Sequence, residues 1–310
     1  MKINSLSSIM PPFLSNKDKI EIVASAKFVI EKDIVTAVNI IKSSGFDVRF
    51  NQQLFCQKDV FAGTKQDRIN SIQRVLDDDE TKAIFFARGG YGSIQIIDQI
   101  DFDSFKKRPK WLVGFSDITI FLMHIYEKYR INSIHGPMPY NFKSTKQSDL
   151  LVLFDALRGK FSNIKFDYHK FNNLGQSSGV VIGGNLSILC SLIGSNSFSK
   201  LNQDSILFIE DVDEYLYRIE RMIYMLDRAG VFKKIKGLII GGITKSLDNQ
   251  LPFGKTAYQT IHSIVSKYNY PIAFNFPVGH GINNRPIIIG SRIQLNVSIN
   301  FSKMEYQLNG

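Results

Sequence analysis

Three segments of the 310-residue chain combine residue types that can do chemistry. The first is Gly114-Phe115-Ser116-Asp117-Ile118-Thr119, where a strand signal stops, a serine follows and a helix begins. This is the pattern of a nucleophile elbow, a sharp turn that exposes a hydroxyl beside a helix N-terminus. The helix dipole and the N–H of Asp117 would stabilise an oxyanion forming there. The usual Gly-x-Ser-x-Gly pattern lacks its second glycine, because position 118 is Ile. The plainer reading is that Ser116 or Asp117 caps the helix. The second segment is Arg88-Gly89-Gly90-Tyr91-Gly92, which follows an apolar strand. Its glycines let the backbone approach a ligand and turn N–H groups outward, so the loop reads as an anion cradle, an oxyanion hole or a tight turn. A dinucleotide fingerprint is excluded, because Gln95 stands where the third glycine should be and the loop follows the third strand, not the first. Residues 242–246 lack the glycine that precedes the lysine of a phosphate-binding loop.

The third segment supplies a base. A serine hydroxyl needs one, and the chain has five histidines. His124 and His262 fall within helical patterns and His169 in a polar stretch. His135 ends a strand at His135-Gly136-Pro137. His280, in Val278-Gly279-His280-Gly281, is held between two glycines and able to point into a cleft. His280 is the favoured base and His135 the second choice. The base in turn needs an acid to hold its tautomer. Residues 205–210 (SILFIE) form an apolar strand that ends in Glu210-Asp211, well placed to orient an imidazole. The alternative is that these carboxylates cap the following helix, which carries Arg218, Arg221 and Arg228.

The elements that must position these groups are legible in outline. Strands are expected at 19–26, 47–50, 83–87, 111–114 and 132–135, and helices at 31–44, 64–77, 117–128 and 151–157. The run AIFFA at 83–87 is wholly apolar, as at the centre of a sheet covered on both faces. Repeated β-α-β units imply an α/β fold with an N-terminal doubly wound parallel sheet, flavodoxin- or Rossmann-like. Such sheets place their sites at the C-terminal ends of strands. Residues 161–178 are polar and read as a linker between a domain over 1–160, which carries the serine, and a smaller mixed α/β domain over 179–310, which carries the acid and base. The active site is then expected in the cleft between domains. Strands are expected near 179–182, 205–210, 237–240 and 271–274 and clustered after Pro286, with helices at 186–193, 215–227 and 256–268.

Composition narrows the function. A hydrophobic fraction of 44% and a charged fraction of 21% suit a globular chain and exclude a disordered one. Two cysteines, Cys56 and Cys190, exclude a disulfide scaffold and a multi-cysteine zinc site. No stretch approaches the roughly 18 apolar residues of a membrane helix. Lys2 is the one early cation and Pro11-Pro12 break the apolar start, a poor secretion signal, so a cytoplasmic protein is expected. The net charge of +10 comes from scattered Lys and Arg, the densest groups being Lys106-Lys107-Arg108 and Lys233-Lys234. That favours a solvated surface and an acidic small-molecule substrate over nucleic acid.

Taken in order, these segments resemble the LD-carboxypeptidase family, which includes murein tetrapeptide carboxypeptidases and microcin C immunity peptidases. The resemblance covers nearly the whole chain. It also rests on Phe61-Ala62-Gly63-Thr64, His135-Gly136-Pro137-Met138, Gly183-Gly184-Asn185-Leu186, Ile209-Glu210-Asp211-Val212 and Tyr217-Arg218-Ile219-Glu220-Arg221. It implies Ser116 as nucleophile, His280 as general base, Glu210 as the orienting acid, and backbone N–H groups of Gly90 and Asp117 as the oxyanion hole. Arg88, Tyr91 and Asn185 are the implied substrate-binding residues. Glu220 departs from a usual aspartate and Gln95 from a frequent basic residue, which bears on substrate preference and not on the triad. The implied reaction is hydrolysis of the L,D-peptide bond to the terminal D-alanine of a murein tetrapeptide by a homodimer, with no cofactor or metal. The alternatives are a microcin-immunity-type peptidase acting on an aminoacyl- or peptidyl-nucleotide, and a non-catalytic ligand-binding protein on the same scaffold.

Overall fold

A computed structural model describes residues 8–198 and 203–307. The chain divides into two compact units: residues up to Lys160 together with Pro286–Gly290, and the rest.

In the first unit the order is β1 (Lys19–Val23), α1 (Glu31–Ser43), β2 (Asp47–Arg49), α2 (Lys65–Asp77), β3 (Thr81–Phe86), α3 (Asp103–Lys107), β4 (Trp111–Gly114), α4 (Thr119–Tyr129), β5 (Ser133–His135) and α5 (Gln147–Leu157). Strands β1 to β5 are parallel, in the spatial order β5-β4-β3-β1-β2. The chain therefore reverses direction across the sheet between β1 and β3, the switch point at which loops splay apart and open α/β sheets take ligands. The central strands are short and apolar because helices cover both faces: Ile20, Ile22, Phe85, Phe86, Leu112 and Val113 are all buried. Helix α2 starts at a capping box in which Thr64 Oγ1 accepts from Asp67 N (3.2 Å) and Asp67 Oδ2 accepts from Thr64 N (2.8 Å). The expected helix at 117–128 begins instead as a 3₁₀ turn, Ser116–Ile118, before α4.

The second unit holds β6 (Ile164–Asp167), β7 (Gly175–Asn185), α6 (Leu186–Leu192), β8 (Ser205–Val212), α7 (Leu216–Arg228), β9 (Ile235–Thr244), α8 (Ala257–Val265), β10 (Ile272–Ala273), β12 (Arg292–Val297) and β13 (Phe301–Tyr306), and between β10 and β12 the chain returns to the first unit as β11 (Ile287–Ile289). The sheet order is β10-β9-β8-β7-β12-β13-β6. Its β7-to-β10 half is parallel and the remainder antiparallel.

Two expectations change here. The polar stretch at 161–178 is not a linker: it holds β6 and the start of β7. β6 is an edge strand that buries only Ile164 and Phe166, and the first half of β7 is half-solvated against β12, so both carry polar residues that imitate a loop. The strands after Pro286 do not form one cluster. β11 leaves its neighbours and adds antiparallel to β5 of the first sheet, pairing Ile287 with His135. No helix among the described residues is long and apolar enough to cross a membrane. No group of three metal-ligating side chains converges among them either.

Candidate active site

Ser116 lies at the C-terminal end of β4 with φ +61, a left-handed conformation that a residue with a Cβ adopts at a cost of ~1–3 kcal/mol. A capping residue is extended and bonds the helix with its side chain. Here the residue before the turn, Phe115, is extended, and Ser116 makes no such bond. The local geometry is that of a strained elbow. The missing second glycine is explained by packing: a Cβ on Gly114 would lie 2.8 Å from Ile118 Cγ2, so Ile118 fills the space that the glycine two before the serine leaves open.

The glycine loop after β3 closes on this elbow. A Cβ on Gly89 would stand 3.0 Å from Ser116 Cβ, 3.1 Å from its Oγ and 3.3 Å from the backbone nitrogen of Asp117. Gly90 and Gly92 have φ of +113 and +144. The loop is held from behind by buried polar groups, among them Ser25, Arg68 and Ser93, which the sequence reading did not single out. Asp117 Oδ2 accepts from Ser93 N (2.9 Å), and the hydroxyls of Ser93 and Ser25 bond at 2.8 Å. Arg68 donates to Ser25 O (3.0 Å), Gly92 O (3.0 Å) and Gln95 Oε1 (2.7 Å). Burial pushes the Asp117 carboxyl above the usual range, against the hydrogen bonds from the loop and the charge of Arg68. The Asp117 side chain thus fixes the loop, while its main-chain N–H stays at the elbow. The one sequence signal for this was Arg68 on the inward stripe of α2 with Ile69, Ile72 and Val75. Gln95, a departure from the family pattern, is the acceptor of that arginine.

Arg88 is half-buried, with its guanidinium 4.1 Å from the Tyr140 ring centroid. Tyr91 is 51% exposed, its ring tilted against Phe61. His135, the second choice of base, is fully buried on β5 with its ring edge-on to Phe115. His124 is buried in α4, and burial lowers its pKa to about 4. His169 and His262 pack into an aromatic cluster around Phe171 and Phe274.

The second unit brings acid and base together. Glu210, near the end of β8, is fully buried, and its Oε2 lies 2.8 Å from His280 Nδ1. With the carboxylate accepting, Nδ1 carries the proton and the basic lone pair falls on Nε2. Burial opposes the charged imidazolium, but the charge and hydrogen bond of Glu210, with Asp211 and Asp213 behind, outweigh it and raise the His280 pKa. The ladder between β8 and β9 is irregular between Ile209 and Asp211, at the point where the two adjacent acids are set apart. Asp211 turns away from the histidine to the start of α6, where it accepts from Ser187 N and Asn185 Nδ2, both at 2.9 Å. Burial first, and then the neighbouring Glu210, raise its pKa to about 7. Asn185 caps the same helix through Oδ1, so its amide is committed to α6 and Asp211. The alternative, in which these acids cap the helix carrying Arg218, does not hold: Asp211 accepts at the start of α6, the helix before it, and α7 has no side-chain cap.

Gly279 is what permits the acid–base contact. Its φ is +119, and a Cβ there would stand 2.7 Å from Glu210 Oε2. Gly279→Ala is therefore expected to destabilise the fold by ~1–3 kcal/mol through backbone strain and to displace the carboxylate, cutting kcat at least about 100-fold. Gly281→Ala, where the nearest atom would be 3.8 Å away, should keep both stability and activity. Thermal melts and turnover of the pair check this. Equal behaviour of the two variants would refute the packing argument.

The LD-carboxypeptidase N-terminal domain model matches residues 20–136, and the LD-carboxypeptidase C-terminal domain model matches 178–295. A probable murein peptide carboxypeptidase of Bacillus subtilis is 28% identical over 93% of this chain and 92% of its own length. The murein tetrapeptide carboxypeptidase of Pseudomonas aeruginosa is 24% identical over 86% and 89%. Among solved structures, the muramoyltetrapeptide carboxypeptidase from Oxalobacter formigenes superposes with a TM-score of 0.86 at 25% identity, covering 94% of this chain and 99% of that one. A microcin C7 self immunity protein has a TM-score of 0.84 at 20% identity over 97% and 99%, and so shares the fold.

Proposed function

The chain belongs to the LD-carboxypeptidase family and is a serine carboxypeptidase; on that footing we propose that it removes the terminal D-alanine from murein tetrapeptide by hydrolysing the L,D-peptide bond. In this reading Ser116 Oγ attacks the scissile carbonyl while His280 Nε2 takes its proton. Glu210 holds the imidazole in the tautomer that can accept. The backbone N–H groups of Gly90 and Asp117 receive the oxyanion. His280 then gives the proton to the leaving amine, D-alanine departs, and water releases the tripeptide from the acyl-enzyme. The mechanism requires Ser116 and His280 to act on one substrate molecule, in the cleft expected between the domains.

The observation that carries the reading is the left-handed Ser116 at the end of β4, pressed against the glycine loop. Strain of this kind serves no purpose in a helix cap, whereas it exposes a nucleophile. A homodimer working in the cytoplasm belongs to the same reading and rests on the family resemblance.

The test is mass spectrometry of L-Ala-γ-D-Glu-meso-diaminopimelate-D-Ala after incubation with the protein. Loss of one alanine is the expected result. An untouched tetrapeptide alongside cleavage of an aminoacyl-nucleotide analogue would replace this substrate assignment with the microcin-type one.

A further inference from the structure

We infer that Lys27 binds the C-terminal carboxylate of the substrate and so makes this site an exopeptidase site. The inference deepens the proposed function and rests on its assignment of Ser116 and Gly90.

Lys27 lies in the loop after β1, and the glycine loop follows β3. These are the two loops that flank the switch point of the first sheet, where such folds take ligands. The backbone around Lys27 is fixed on both sides: Ala62 N donates to Ala26 O at 3.0 Å, and Phe28 N donates to Val60 O at 3.3 Å. The side chain is half-buried and runs along Gly90. A Cβ on Gly90 would stand 2.6 Å from Lys27 Cδ, 2.7 Å from Cγ and 3.0 Å from Cε. The stem thus occupies the space that any side chain at position 90 would need. It runs beside the residue whose N–H is assigned to the oxyanion, and a Cβ on the neighbouring Gly89 would stand 3.1 Å from Ser116 Oγ.

Among the described residues, no carboxylate lies within ion-pair distance of the Lys27 ammonium. Arg88, the other cation of this loop pair, is instead engaged with the Tyr140 ring and reaches toward Phe28 O at 3.4 Å. Among the described residues Lys27 is therefore a cation without an internal counter-ion, its stem lying against Gly90.

The substrate supplies the missing charge. In an exopeptidase substrate the carboxylate belongs to the leaving residue, one residue or about 3.8 Å beyond the scissile bond. A cation recognising it has to lie within reach of the scissile bond, and the Lys27 stem runs along Gly90, the residue whose N–H is assigned to the oxyanion. An ammonium on a flexible stem suits this task, because it follows the carboxylate as the carbonyl carbon becomes tetrahedral.

The experiment compares the tetrapeptide with its C-terminal carboxamide, in the parent protein and in Lys27→Met. The parent should prefer the acid. Lys27→Met should lower kcat/KM for the acid by about 10- to 100-fold, chiefly through KM, so that the acid-over-amide preference collapses toward one. Lys27→Arg should restore much of it. A preference unchanged in Lys27→Met, or acid and amide rates that fall by the same factor, would overturn the inference. Calorimetry on Ser116→Ala makes the same comparison without turnover. Ser116→Ala should bind the acid more tightly than the amide, and Ser116→Ala/Lys27→Met should not distinguish them. Equal binding of the two ligands to Ser116→Ala, or binding of neither, also counts against Lys27. Failure of the parent protein to hydrolyse the tetrapeptide, with the calorimetric difference intact, would instead remove the substrate assignment and leave the carboxylate site standing.

Discussion

Ser116→Ala is expected to fold like the parent protein and to lose turnover by on the order of 10⁴–10⁶-fold. The stability half of this expectation follows from the elbow. The Ser116 side chain caps neither the 3₁₀ turn nor α4, and alanine keeps the Cβ that packs near Gly89. Removing the hydroxyl should therefore cost less than about 1 kcal/mol. The activity half follows from the proposed role, because without the attacking oxygen only binding and the oxyanion hole remain. The strain at φ +61 adds a second expectation. Ser116→Gly should be equally inactive but more stable than the parent by about 1 kcal/mol, since glycine adopts this conformation without penalty. Turnover assays and thermal melts of both variants check the pair. A folded Ser116→Ala protein that turns substrate over at near the parental rate would end the nucleophile assignment.

The second large effect concerns pH. The Glu210 charge favours the imidazolium and raises the His280 pKa above the usual imidazole value of ~6.5. A base must be neutral to accept a proton, so kcat/KM should climb as pH rises through a midpoint above that value. Glu210→Gln removes the charge and the matched acceptor. Burial, the largest influence on His280 and one that lowers its pKa, then prevails, so the midpoint should move down. The plateau rate should also fall by about 10³–10⁴-fold, because the imidazole is no longer held in the accepting tautomer. A profile flat from about pH 5 to 8 in the parent, or a midpoint unmoved in Glu210→Gln, would contradict the acid–base pairing.

Stability should run the opposite way. His280 and Asp211 both have folded-state pKa values raised above their unfolded ones, so the folded protein holds the extra proton. Their contribution is complete below the unfolded values, ~3.9 for Asp211 and ~6.5 for His280, and is lost as pH rises through the folded ones. For Asp211 that window extends from ~4 to about 7. The enzyme is thus expected to become more active and somewhat less stable over the same range.

Short-range features were readable without coordinates. Trp111–Gly114 appears as a strand because a central strand covered on both faces must be apolar throughout. The start of α2 was marked by Thr64 and its end by the loss of inward apolar residues after Leu76. Glycine-rich turns at strand ends pointed to Ser116, Gly90 and His280, since only a few residue types tolerate such backbone positions.

Other features depended on partners distant in the chain. β6 and the start of β7 read as a linker because a half-solvated strand resembles a loop until the strand beside it is known. Three hydrophobic residues at 287–289 could extend either sheet, and pairing with β5 decided for the first. The sequence by itself determined which side chains were available for the chemistry and the order in which strands present them. The family resemblance implied the pairing of Glu210 with His280, but tertiary structure alone decided what the neighbouring carboxylates do. Glu210 faces His280 across 70 positions of sequence, Asp211 beside it holds a helix start, and Asp117 holds a loop instead of capping its own helix. An acid's role is set by which donors and charges surround it once buried, and those neighbours come from elsewhere in the chain.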